Sequence, residues 1–97
     1  MKTKDEILEI LREQLPYLRK IYGVKTFGLF GSYSRGEQNI ESDVDLLVDF
    51  ERPIGFFKFI ALEEYLAEKL GLKVELVTED ALKPIKKPAI MREVVYA

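Results

Sequence analysis

The chain has no cysteine and no histidine. The first absence excludes disulfides, thiol nucleophiles and zinc–thiolate centres; the second removes the imidazole that a Ser-His-Asp triad or a histidine metal site would need. A bound cation must therefore be held by oxygen ligands, which favours Mg²⁺ or Mn²⁺. No apolar run approaches the roughly 20 residues needed to cross a bilayer, and Met1-Lys2-Thr3-Lys4-Asp5-Glu6 lacks the character of a secretion signal. These features point to a cytoplasmic protein without a membrane partner. Strong positive charge is also missing: the net charge of −2 argues against a general nucleic-acid binder and leaves room only for a local basic patch.

What is present suits one small domain spanning residues 1–97. Its 47% hydrophobic content is enough for a single modest core. The 33% charged content also suits a thermophile. Ile7, Leu8, Leu11, Leu15, Leu18 and Ile21 recur at spacings of three and four, which predicts an amphipathic helix over residues 4–22. Pro16 predicts a kink or a split into two helices near Gln14 to Pro16, and Gly23 reads as the helix cap. A strand is expected from Thr26 to Phe30 and another from Val44 to Phe50. After the breaker Arg52-Pro53-Ile54-Gly55 comes a helix from Phe56 to Leu70, with Phe59, Ile60, Leu62, Leu66 and Leu70 as its buried stripe. Phe56 and Phe57 diverge by about 100° around that helix, so one stripe cannot bury both. One of them falls off the stripe, where it is expected to pack against the local loop in preference to standing exposed as a partner contact. A third strand is expected over Lys73 to Thr78, then a capped helical turn from Thr78, a basic connector over residues 83–88, and a last helix from Ala89 to Tyr96. The fold class is α/β (α+β), a small mixed three-stranded sheet flanked by helices.

The chemistry is concentrated in residues 28–50. Gly31-Ser32 allows the chain to turn sharply out of the first strand into a helical start at Ser32 to Arg35, where free N–H groups can receive a phosphate. Ser32 can also be read as a simple helix cap. Arg35 lies within reach of the same cradle, either touching phosphates or standing solvated at the helix end. In the second strand alternation sends Val44, Leu46, Val48 and Phe50 to one face and Asp43 and Asp45 to the other. Like charges on neighbouring same-face positions repel, and a hard divalent cation would offset that repulsion. Acids on a solvent-facing strand are the plainer alternative. If the third strand pairs beside the second, Glu75 joins Asp43 and Asp45 in a three-carboxylate site.

Gly31-Ser32, ten intervening residues, then Asp43-Val44-Asp45 resembles the signature of the DNA polymerase β-like nucleotidyltransferase superfamily. The flanking Leu29-Phe30-Gly31-Ser32-Tyr33-Ser34-Arg35-Gly36 and Ser42-Asp43-Val44-Asp45-Leu46-Leu47-Val48 are similar to its minimal nucleotidyltransferase (MNT) branch. The resemblance implies the nucleotidyltransferase fold, with catalytic and metal-ligating roles for Asp43, Asp45 and Glu75 around a two-metal Mg²⁺ site. It places the nucleotide on Gly31, Ser32, Arg35 and Ser42. Glu75 stands where the family usually has aspartate, and its longer side chain can still reach a cation. The resemblance further implies an antitoxin that transfers AMP from ATP to a tyrosine hydroxyl of a partner HEPN-type ribonuclease toxin, in a homo- or hetero-oligomer. Two alternatives remain at this point: a non-catalytic module that masks its toxin, and nucleotidyl transfer to RNA or a small molecule.

Overall fold

In the computed structural model, which describes residues 2–97, the chain opens with helix α1, Lys4–Tyr22. The Thr3 hydroxyl accepts from the Glu6 N–H at 3.2 Å, and the Glu6 carboxylate accepts from the Thr3 N–H at 3.0 Å. This reciprocal pair satisfies two otherwise orphan donors and holds the Glu6 carboxyl below its ordinary value. Gly23, at φ 70°, ends the helix in the left-handed region. The expected kink or break does not occur, because α1 runs unbroken through Pro16. Both Pro16 and Arg12 lie on the exposed face, so the Arg12 carbonyl that loses its helical donor is open to water.

The chain then forms β1 (Val24–Phe30), α2 (Ser32–Arg35), β2 (Val44–Phe50), α3 (Phe56–Leu70) and β3 (Val74–Thr78). A 3₁₀ turn (Glu79–Ala81), α4 (Lys87–Glu93) and β4 (Val95–Tyr96) complete it. The strands lie in the order β3-β2-β1-β4. β1 is antiparallel to β2 and β4, whereas β2 and β3 are parallel and α3 makes the crossover between them.

The mixed α/β class is as expected, but the sheet has four strands instead of three. The expected last helix stops at Glu93, Val94 turns extended at φ −63° and ψ 135°, and Val95–Tyr96 pairs with β1. Gly28 makes that pairing possible: a Cβ there would lie 2.3 Å from the Val94 side chain and 3.3 Å from the Tyr96 ring. β1 also starts at Val24, ahead of the expected Thr26, across a register shift between those residues. The turn after Thr78 is 3₁₀ and lacks the expected side-chain cap.

One face of the sheet carries Val24, Phe27, Leu29, Val44, Leu46, Val48, Val74 and Leu76 into a core shared with α1 and with Leu62, Leu66 and Leu70 of α3. Phe59 packs at the margin of that core, and Ile60 is only half-buried. Phe56 and Phe57 are both exposed, at 71% and 85%, and meet each other edge to face, so neither packs away from solvent as expected for one of them. At the outer edge of the sheet the Glu63 carboxylate accepts from the Leu76 N–H at 2.9 Å, which occupies a donor that would otherwise invite another strand. The second sheet face carries Asp45, Leu47 and Asp49 from β2 beside Glu75 and Val77 from β3. That face holds the candidate site.

Candidate active site

Phe30, the last residue of β1, stands opposite Asp45 of β2, and the chain turns at the next residue. Gly31 adopts φ 80° and ψ −157°, a region essentially closed to side-chain-bearing residues. A Cβ at Gly31 would also fall 2.1 Å from Asp45 Oδ2. The glycine is therefore required twice, for the turn and for the carboxylate packed against it. Tyr33 is buried beneath the turn, and Gly36 closes α2 in the left-handed region. Ser32 is half-buried, and its hydroxyl makes no hydrogen bond among the described residues.

Asp45 pairs in register with Glu75 on the neighbouring parallel strand. Its carboxyl is pushed up to about 6 from an ordinary 3.8. Burial is the largest cause, followed by the charge of Glu75, a hydrogen bond with it, and the charge of Asp43; Arg35 pulls weakly the other way. Asp43 sits to the side, 3.9 Å from Lys73 Nζ in a solvent-exposed pair that contributes little.

Asp45 and Glu75 are thus brought face to face, with Asp43 near enough to add its field. Among the described residues no three carboxylates close into a ready-made ligating group. Asp45 and Glu75 meet through a hydrogen bond, while Asp43 contributes through its charge. The donor set still fits a hard cation. It is all oxygen, it crowds negative charge around Asp45, and Gly31 offers that carboxylate a wall with no side chain.

Two residues expected at the nucleotide are engaged elsewhere. Arg35 Nε donates to Glu37 at 2.7 Å and Nη1 to Glu93 at 3.1 Å, contacts that raise the Arg35 pKa. The Ser42 hydroxyl accepts from the Asn39 N–H at 2.9 Å, and the Ser42 N–H donates to the Asn39 carbonyl at 3.0 Å. Ser42 therefore closes the loop into β2. Glu93 was not foreseen from the sequence. Its carboxylate accepts from the Gly31 N–H at 3.1 Å across 62 residues, and no local pattern announces it.

A glycine turn and paired strand carboxylates on the open face of a small mixed sheet define a nucleotide-transfer class of α/β domain. The profile of the nucleotidyltransferase domain family matches residues 5–97, and the chain belongs to that family. The chain is 50% identical over 96 residues to protein adenylyltransferase MntA of Thermococcus cleftensis, covering 99% of this chain and 97% of that protein. Among solved structures, one provisionally named a minimal nucleotidyltransferase superposes with a TM-score of 0.78 at 33% identity, over 97% of this chain and 95% of that one. A toxin–antitoxin structure with AMP-PNP shares the fold, with a TM-score of 0.69 at 24% identity over 98% of this chain and 72% of that one.

Proposed function

We propose that this chain is a cytoplasmic, Mg²⁺-dependent protein adenylyltransferase that moves AMP from ATP to a tyrosine hydroxyl of a HEPN-type toxin and thereby acts as its antitoxin. The observation that carries the proposal is Asp45, set opposite Glu75 and packed against the Gly31 turn. The strong identity to a protein named protein adenylyltransferase MntA supports the choice of acceptor class.

Asp43, Asp45 and Glu75 are the residues that would hold Mg²⁺, or Mn²⁺ in its place. Bound there, the cation would supply charge neutralisation of the triphosphate and Lewis-acid polarisation of the α-phosphate. The Gly31-Ser32 turn and the Ser32 hydroxyl receive the outer phosphates and orient the α-phosphate for in-line attack. The tyrosine oxygen forms a bond to that phosphorus while the bond to the pyrophosphate oxygen breaks. Glu75, exposed and in register with Asp45, takes up the phenolic proton.

The test is incubation of the protein with labelled ATP, Mg²⁺ and the product of the adjacent gene, followed by intact-mass measurement. An added AMP on the partner, lost with Asp43→Ala or Asp45→Ala, is the expected result. Label appearing only on RNA or a small molecule would reject the acceptor. Toxin neutralisation that survives both substitutions without AMP transfer would reject catalysis as the means of silencing.

A further inference from the structure

The C-terminal helix is fastened to the nucleotide turn at several points, all through one residue. Glu93 Oε1 accepts from the Gly31 N–H at 3.1 Å, and Arg35 Nη1 reaches both carboxylate oxygens at 3.3 and 3.1 Å. The Glu93 carbonyl accepts from the Ser34 hydroxyl at 3.0 Å. The Glu93 side chain is only 26% exposed, so these charge-assisted bonds are partly shielded from water. Gly31 is consequently held from both sides. Its N–H is bound by Glu93, and the Asp45 carboxylate fills the space that a Cβ would take.

This arrangement matters because a glycine at φ 80° has no side chain to hold it there, and the unliganded turn would otherwise sample other conformations. Arg35 and the Gly31 N–H are bound by Glu93, while the Ser32 hydroxyl has no protein partner among the described residues.

We propose that Glu93 is a positioning residue for nucleotide binding, its carboxylate holding the Gly31-Ser32 turn in the shape that receives the triphosphate. The inference rests on the nucleotidyltransferase reading of that turn. The ordering it supplies should be lost when the acceptor for the Gly31 N–H is removed, without any contact to nucleotide being lost. A preorganised turn binds more tightly because less conformational freedom disappears on binding.

The experiment is calorimetric titration with AMP-PNP and Mg²⁺, at a temperature where circular dichroism shows every variant folded. Glu93→Ala should weaken binding roughly tenfold, the scale of one charge-assisted hydrogen bond. Glu93→Gln keeps an acceptor for the Gly31 N–H and should stay within about threefold of wild type. Val94→Ala loosens the same segment at Gly28 without touching the turn; it should lower the melting temperature and leave affinity unchanged. In turnover assays the loss for Glu93→Ala should appear mainly in KM for ATP. Unchanged binding by Glu93→Ala, or a loss as large in Val94→Ala, would overturn the assignment. Tighter binding by Glu93→Ala would overturn it in favour of a carboxylate that blocks the site. If wild type bound no nucleotide, the nucleotidyltransferase reading itself would fall, an outcome distinct from the others.

Discussion

Gly31 is the residue on which geometry and chemistry meet. Alanine there would be strained at φ 80° and would overlap the Asp45 carboxylate. Such strain typically costs about 1–3 kcal/mol. Displacement of a reacting group by about an ångström costs roughly a hundredfold in rate. Gly31→Ala should therefore lose AMP transfer by about that factor or more while still folding, checked by turnover and circular dichroism together. Asp45 gives a pH signature. Its carboxyl binds a proton more tightly in the folded chain, at about 6, than at its ordinary 3.8. Its stabilising contribution is thus fully present below about pH 4 and is lost as pH rises through about 6. In metal-free buffer the melting temperature should fall between pH 5 and pH 7.5, and Asp45→Asn, which stays neutral, should flatten that fall. Screening of a half-exposed carboxyl keeps the change to a few degrees. Added Mg²⁺ should raise the wild-type melting temperature at pH 7.5 and do much less for Asp45→Asn.

Among the elements, β4 shows how a short strand escapes detection. Ile90, Met91, Val94 and Val95 read as one helical face, yet only residues up to Glu93 are helical. The decisive residue is Gly28 in a different strand, whose missing side chain lets Val94 and Tyr96 settle on the sheet. Gly28→Ala should overpack this contact and cost about 1–3 kcal/mol, measured by urea denaturation. The same substitution should accelerate amide exchange at Ala97, whose N–H donates to the Phe27 carbonyl at 2.9 Å. Most other elements could be read from local pattern. The stripes of α1 and α3 and the alternation of β2 are all short-range properties.

For the molecule as a whole, a single apolar cluster joins α1, α3 and one face of the sheet. Leu62 lies fully buried in that cluster. Leu62→Ala should cost about 2–5 kcal/mol through lost burial and a residual cavity. A domain of this size commonly has only 5–15 kcal/mol in total. The expected outcome is a lower denaturant midpoint with one cooperative transition and an unchanged slope. The opposite sheet face lies outside that apolar cluster and carries the acids. This division lets one sheet hold a dry core on one face and a charged site on the other.

The amino-acid order by itself determined the apolar stripes of α1 and α3, three of the strands, the glycine turn and the outward placing of Asp45 on β2, because each depends on periodicity or on the φ of a single residue; Asp43 falls just ahead of that strand. The partners of that turn were decided only by the tertiary structure. Arg35 turns to Glu93 and Glu37, Ser42 closes its own loop, and Glu75 comes opposite Asp45 only because α3 returns the chain parallel to β2. Glu93 reaches Gly31 across 62 residues. Contacts over that separation are set by how elements pack, and packing leaves no mark in the local spacing of residues.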